Sequence, residues 1–99
     1  ENEVCFLGHS HVPITFFQGD LISYTLNPVV EIKKGQKTLI NIGSVGQPRD
    51  GDRRSCYVVL EDDKLTYHRV DYEFGVTAQK IYDTPDLDDF LGNRIKDGR

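Results

Sequence analysis

The chain lacks the features of membrane, secreted and disulfide-bonded proteins. No stretch approaches the roughly 18 consecutive apolar residues of a transmembrane helix, so the sequence predicts no membrane span. The chain begins Glu1-Asn2-Glu3, and the four-residue apolar run that follows is too short for the core of a signal peptide. Only two cysteines are present, Cys5 and Cys56, both in apolar, strand-like runs. We interpret them as small buried hydrophobic residues in a reducing, cytoplasmic compartment rather than as a disulfide.

The chain also lacks an excess of basic residues. It holds 12 lysines and arginines against 16 acidic residues, which gives a net charge of −4. The basic pairs Lys33-Lys34 and Arg53-Arg54 are short and fit a solvated surface. Since nucleic-acid-binding modules usually present a basic face, this balance argues against a nucleic-acid partner.

Length and composition allow one small domain over residues 1–99. The apolar fraction of 37% lies below the average for globular proteins, so folding is permitted but a thick core is not assured. The chain begins with Glu1 rather than Met, just before the first predicted strand, and we therefore expect it to be part of a longer domain.

Runs of β-branched and aromatic residues predict that strands fill the first seventy residues. The predicted strands cover residues 4–7, 14–17, 21–26, 29–32, 38–42, 55–60 and 65–70. Residues 29–32 follow Asn27-Pro28 and fit an edge strand, where proline is tolerated. Most of these strands are joined by short turns, which favours a mostly antiparallel sheet.

The period changes after Asp71, where the sequence predicts two short helices. The first covers residues 76–82. The segment Asp83-Thr84-Pro85-Asp86 is typical of a helix start, and a glycine-bearing stop follows at Gly98. The predicted fold class is therefore α+β, with strands first and two helices last.

The motif Gly8-His9-Ser10-His11 has the greatest chemical content in the chain. Imidazole is a preferred ligand of Mn²⁺, Fe²⁺, Zn²⁺ and Ni²⁺. On a regular strand the two rings would project to one face, whereas on a loop they could diverge toward two metals. Gly8 would let the backbone turn sharply. The competing interpretation is a pair of surface or helix-capping histidines.

A second motif runs from Asn41 to Asp52 and reads Asn-Ile-Gly-Ser-Val-Gly-Gln-Pro-Arg-Asp-Gly-Asp. Such a loop offers backbone N–H groups, the Ser44 hydroxyl and the Arg49 guanidinium to a phosphoester oxygen, so Ser44 and Arg49 are candidate substrate-binding residues. The alternative is an ordinary glycine-rich crossover, whose shape is fixed by pairing Arg49 with Asp50 or Asp52.

Together, in this order and at this spacing, the two motifs resemble the closing motifs of calcineurin-like metallophosphoesterases. The small bacterial and archaeal phosphodiesterases are the most similar type. The likeness extends through residues 56–60 and 67–69 and both predicted helices, so it covers nearly the whole chain. Residues 21–34 depart from it and look like an enlarged hairpin. The resemblance implies the C-terminal part of a two-sheet β-sandwich flanked by helices, truncated of its N-terminal half.

The resemblance also implies a dinuclear metal centre, in which His9 ligates one metal and His11 the other. The family's remaining ligands lie upstream, in Asp-x-His, Gly-Asp-x-x-Asp and Gly-Asn-His segments that this sequence does not contain. The third histidine, His68, is interpreted as a surface residue. Because two-metal hydrolysis needs a bridging carboxylate, we expect no useful phosphoester hydrolysis by the isolated monomer.

Two functions stay open from the sequence. One is the C-terminal portion of a metal-dependent phosphoesterase acting on phosphodiester or nucleotide-like substrates. The other is a non-catalytic oligomerising or metal-binding module derived from that family. In either case the chain is expected to supply mostly one of two sheets, leaving Phe6, Ile40, Val58 and Leu60 open to water. That exposure predicts a homo-oligomer, and one possible arrangement exchanges strands between the copies.

Overall fold

A computed structural model describes residues 3–99 of the chain. Glu1 and Asn2, on which the reading of the N-terminus rests, lie outside the described residues. The fold is α+β, as predicted, with strands first and two helices last. The strands are β1 (Val4–Leu7), β2 (Ile14–Gln18), β3 (Ile22–Thr25), β4 (Val29–Glu31), β5 (Lys37–Asn41), β6 (Ser55–Glu61) and β7 (Lys64–Val70). The helices are α1 (Phe74–Tyr82) and α2 (Asp89–Asp97).

The strands form two sheets of nearly equal size. Sheet A has the order β1-β5-β2-β3, with β1 parallel to β5 and the other pairs antiparallel. Sheet B is antiparallel throughout, in the order β4-β7-β6. The expectation that the chain supplies mostly one sheet is therefore wrong. After Asn27-Pro28 the chain leaves sheet A, and β4 pairs with β7 in sheet B.

The core lies between the two sheets. Ile40 of sheet A and Leu65 of sheet B are fully buried, and they form one hydrophobic cluster with Val30 of sheet B. Phe17 and Val58 pack on this cluster. The predicted exposure of Ile40 and Val58 is therefore wrong, because sheet B covers the inner face of sheet A.

At the margins of the sandwich the expected exposure is found. Phe6 on the edge strand β1 and Leu60 near the end of β6 are each 44% exposed.

Tyr67 joins the two sheets through its hydroxyl group. It donates a hydrogen bond to the carbonyl oxygen of Asn41 at 3.0 Å and receives one from Thr15 Oγ1 at 3.0 Å. Burial raises the pKa of Tyr67, so the phenol keeps the proton that it donates to sheet A. The end of β5 is thereby held against sheet B.

The first helix ends where the sequence predicted a helix start. Thr84 Oγ1 donates to the carbonyl oxygen of Lys80 at 2.7 Å, which closes α1 rather than capping a new helix. Helix α2 begins at Asp89, and the carboxylate of Asp88 accepts the N–H of Phe90 at 3.0 Å as its cap. The predicted start at residues 83–86 is therefore wrong, because a threonine side chain can serve either end of a helix.

The stop at Gly98 is confirmed. Gly98 ends α2 in the left-handed conformation, with φ +68°, and its carbonyl oxygen accepts the N–H of Gly51 at 2.8 Å. A Cβ atom at this position would lie 2.9 Å from the backbone of Asp52. Glycine is therefore required both by the backbone angle and by the close approach.

Both cysteines are free thiols, and their environments differ. Cys56 is buried, as predicted, whereas Cys5 is exposed on sheet A. The prediction of a buried Cys5 is wrong because its side chain points away from sheet B. Neither helix of the described chain is long and apolar enough to cross a membrane.

Candidate metal centre

Two loops meet at one edge of sheet A. The histidine loop (residues 8–13) follows β1, and the arginine loop (residues 42–54) follows β5. Because β1 and β5 are parallel neighbours, with Leu7 beside Asn41, both strands end at the same edge. Carboxyl ends of adjacent parallel strands are where ligand sites form in open sheets. The parallel pairing thus brings the two sequence motifs together.

Both histidines adopt a backbone conformation that is rare outside glycine. The φ angle is +89° at His9 and +61° at His11. Each such residue costs about 1–3 kcal/mol and persists only where the surroundings hold it, a pattern concentrated at functional sites. The sharp turn is therefore made by the histidines themselves. The interpretation that Gly8 supplies it is wrong, since Gly8 has no positive φ and a Cβ there would meet open space.

The ring of His11 is oriented by the arginine loop. Its Nδ1 lies 2.8 Å from the carbonyl oxygen of Gln47, and because a carbonyl oxygen only accepts, Nδ1 carries the proton. In the neutral ring this leaves the Nε2 lone pair free for a metal. A backbone hydrogen bond from the N–H of Arg49 to the carbonyl oxygen of His11, at 3.1 Å, holds the same turn. Metal-bound histidines are commonly oriented by such a carbonyl.

Asn41, the last residue of β5, ties both loops together. Its side-chain Nδ2 donates to the carbonyl oxygen of Gly8 at 3.2 Å and to Ser10 Oγ at 2.8 Å. Its Oδ1 accepts the N–H of Gly43 at 3.1 Å. The residues on either side of His9 are thereby attached to the start of the arginine loop.

The two predicted substrate-binding residues lie in the arginine loop. Ser44 Oγ accepts the N–H of Gln47 at 2.9 Å, so it also stabilises the turn. Arg49 Nη2 donates to Gln47 Oε1 at 3.0 Å. Arg49 Nε is buried and has no hydrogen-bond partner within residues 3–99. A buried donor of this kind calls for an acceptor that the described residues do not provide.

The acidic residues of the arginine loop do not pair with Arg49, contrary to the crossover alternative. Asp50 forms an ion pair with Arg69 of β7, and Asp52 pairs with Arg54 at 2.7 Å. The hydrogen bond from the Arg54 side chain lowers the pKa of Asp52 to about 2. The loop is thus anchored to sheet B through Arg69. The Arg49 guanidinium instead donates to the Gln47 side chain.

The metal-donor set of the described chain is small. Across residues 3–99, no group of three or more His, Cys, Asp or Glu side chains is placed to hold a metal ion. His68 lies on the outer face of sheet B, half-buried, and stacks on Tyr57 at 5.0 Å between ring centroids. His9 and His11 fit borderline divalent metals as two ligands, and a complete centre needs more donors from elsewhere.

Sequence reasoning missed the roles of Asn41 and Gln47. Both were visible inside the second motif, but neither was assigned a function. The available signal was Asn41 itself, a polar amide at the end of an otherwise apolar strand. The carbonyl of Gln47 gave no signal, because any residue supplies a backbone carbonyl.

Comparisons with known proteins place the fold beside two longer proteins. No protein-family model matches the chain. The chain is 35% identical over 100 residues to the uncharacterized protein MJ0912 of Methanocaldococcus jannaschii, covering 98% of this chain and 40% of that protein. It also superposes on the crystal structure of a metallophosphoesterase from Sphaerobacter thermophilus with a TM-score of 0.80 and 31% identity. That match covers 100% of this chain and 43% of the solved one, so the chain spans about two fifths of each relative.

Proposed function

We propose that this chain is the C-terminal portion of a dinuclear-metal-dependent phosphoesterase acting on phosphodiester or nucleotide-like substrates. The observation that carries the proposal is the pair His9 and His11, whose backbone φ angles are both positive. The carbonyl oxygen of Gln47 binds Nδ1 of His11, which leaves Nε2 of that ring free. The similarity to a metallophosphoesterase over the whole chain supports it.

In this proposal His9 and His11 each give one imidazole to a divalent transition metal, with Mn²⁺, Fe²⁺, Zn²⁺ and Ni²⁺ as the candidates. When bound, such a pair of metals would activate a water and stabilise the charge of the leaving oxygen. The bridging carboxylate and the other ligands come from outside residues 3–99, either from the same polypeptide or from a separate chain. The isolated monomer therefore does not hydrolyse phosphoesters at a useful rate.

The arginine loop binds the substrate in this proposal. Arg49 Nε is a buried donor without a partner in the described chain, and a phosphoester oxygen would satisfy it with a charge-assisted hydrogen bond. The Ser44 hydroxyl, whose oxygen already accepts from Gln47, would give its proton to the same group.

Metal titration tests the assignment, since the chain offers a matched control. Calorimetry measures the binding of Zn²⁺ or Mn²⁺. We expect binding to be lost in His9→Ala/His11→Ala and retained in His68→Ala, because His68 lies on sheet B. Equal binding by the double variant and wild type would refute the two ligands. Hydrolysis of a chromogenic phosphodiester with Mn²⁺ is expected to be absent for a verified monomer. Activity that disappears in the double variant would instead mean that association rebuilds a working site.

We further propose a homo-oligomer, with the sheet-A surface as its interface. The outer apolar face of sheet A consists of Cys5, Leu39, Phe16 and Tyr24, side by side in register on four strands. All four side chains are exposed, and Cys5, Leu39 and Phe16 line a groove of about 440 Å³.

Glu3 and Lys37, of opposite charge, line that groove, so a second copy related by a two-fold axis would pair acid with base. Exchange of the edge strand β1 is the alternative geometry, because β1 has only β5 as a described neighbour. Sedimentation tests both: we expect Phe16→Asp to dissociate the assembly and Val59→Asp, on the outer face of sheet B, to leave it intact. A monodisperse wild-type monomer would overturn the oligomer.

The second candidate function is a non-catalytic oligomerising or metal-binding module in the cytoplasm. The observation that favours it is the donor set, since the described chain brings together no group of three metal-binding side chains. The free state of both cysteines fits a reducing compartment. Metal binding without hydrolysis, in a protein that contains the remaining part of the longer relatives, would decide for this module.

A further inference from the structure

We infer that Asn41 is a positioning residue that holds the two histidines in their ligating conformation. The inference rests on the proposed metal site and extends it to a residue that touches neither metal nor substrate. Its basis is the hydrogen-bonding of one buried amide to both loops.

The amide of Asn41 uses its donor and acceptor ends on different loops. The residue is 5% exposed, and its hydrogen bonds are to Gly8 O, Ser10 Oγ and Gly43 N. A buried amide that is satisfied at both ends strongly favours one arrangement of its neighbours, because each lost partner would leave a polar atom unpaired.

These contacts flank the strained histidines. Gly8 and Ser10 lie on either side of His9, where φ is +89°. Ser10 Oγ also accepts the N–H of Val12 at 3.3 Å, so the same hydroxyl reaches both sides of His11. The contact to Gly43 fixes the start of the loop whose Gln47 carbonyl orients the His11 ring.

Asn41 is itself held by a rigid element. It ends β5, paired with Leu7 and Ile14, and Tyr67 of sheet B donates to its carbonyl oxygen at 3.0 Å. Asn41 therefore fixes the position of the histidine loop relative to the core, which a free surface turn would not have. Supporting residues of this kind are worth about 10–100-fold in metal affinity.

The test compares Asn41→Ala and Asn41→Asp with Thr38→Val. Thr38 lies on the same strand, is equally buried, and its hydroxyl has no partner in the described chain, so Thr38→Val controls for a change in the core. Asn41→Asp keeps the acceptor for Gly43 but loses the donor to Gly8 and Ser10. It serves as the folded variant if Asn41→Ala does not fold.

Two quantities are measured. NMR of the metal-free protein reports which ring nitrogen of His11 is protonated. Titration of each protein with Zn²⁺ gives its Zn²⁺ affinity. We expect wild type and Thr38→Val to show His11 protonated at Nδ1. In Asn41→Ala the ring should average over both tautomers, and Zn²⁺ affinity should fall about ten-fold. Asn41→Asp should lie between them.

The outcomes separate this inference from the proposed function. If Asn41→Ala and Asn41→Asp match Thr38→Val in both readouts, the positioning role is overturned although the metal site stands. If wild type binds no Zn²⁺ but the Asn41 variants release the His11 ring, the metal site is overturned and the positioning role stands. Release of the ring together with weakened Zn²⁺ binding supports both.

Discussion

The outer faces of the two sheets differ in how their apolar side chains are arranged. On sheet A the outward side chains are largely apolar, and the row Cys5, Leu39, Phe16 and Tyr24 crosses all four strands. On sheet B the outward positions of β6 and β7 mix polar side chains, such as Lys64 and His68, with the exposed Tyr57, Val59 and Val70. Sheet A also contains the parallel pair, and parallel strands occur mostly where both faces are covered. The outer face of sheet B interrupts its apolar side chains with charged and polar ones, whereas sheet A has an unbroken apolar row of the kind that packs against another surface.

Neighbouring positions on β5 give the largest expected effect. Ile40 faces sheet B and is fully buried, while Leu39 faces outward and is 39% exposed. We expect Ile40→Ala to cost about 2–5 kcal/mol in the free energy of unfolding and Leu39→Ala much less. Urea denaturation of both variants measures this. A loss in Leu39→Ala as large as that in Ile40→Ala would mean that the outer face of sheet A is covered in solution.

The cysteines sharpen the same comparison without perturbing the core. Cys5 lies on the outer apolar face, whereas Cys56 is buried and burial raises the pKa of its thiol. We expect one thiol per folded chain to react with a chromogenic disulfide reagent in dilute solution, and Cys5→Ser to abolish that reaction.

At high protein concentration a second copy on sheet A should slow the labelling of Cys5. A rate that does not depend on concentration would contradict the proposed interface. Reaction of Cys56 before unfolding would contradict its place in the core.

The smallest effect is expected on the sheet-B side, at the ion pairs that anchor the arginine loop. The pKa of Asp52 is about 2, against 3.8 for the free side chain, chiefly because of the hydrogen bond from Arg54. A lowered folded-state pKa stabilises the fold above pH 3.8, and this contribution is lost as the pH falls through 2.

Asp52→Asn should therefore unfold slightly more easily than wild type at neutral pH, with the difference vanishing near pH 2. The effect is small because the pair is partly exposed to solvent. Thermal melts across this pH range measure it. A difference that persists at the acid end would mean that Asp52 acts through a contact other than its charge.

The sequence predicted the elements better than their arrangement. The seven strands and the α+β order follow from local periodicity, and so does the stop at Gly98. The division into two sheets does not, because β4 joins β7 through pairing between residues far apart in the chain. Local signals misled at Thr84, whose hydroxyl closes α1, and at Gly8, where the histidines make the turn.

At the candidate site the residue types were readable but their connections were not. His9 and His11 were recognisable as candidate metal ligands, and Arg49 as a candidate anion binder, from their residue types. Which carboxylates pair with which arginines depends on β7 bringing Arg69 to the loop, which no spacing rule predicts. The roles of Asn41 and the Gln47 carbonyl depend on the parallel pairing of β1 with β5.

The hydrogen bond from Gly51 to Gly98 bears on the order in which the molecule folds. Arg49 donates its N–H to His11 near the start of the chain, and two residues later Gly51 donates to Gly98 near its end. The arginine loop is thus closed from both termini by contacts of long sequence separation, which form slowly. We expect the contact between Gly51 and Gly98, which joins the arginine loop to the end of the chain, to form after the strands of the sandwich have paired.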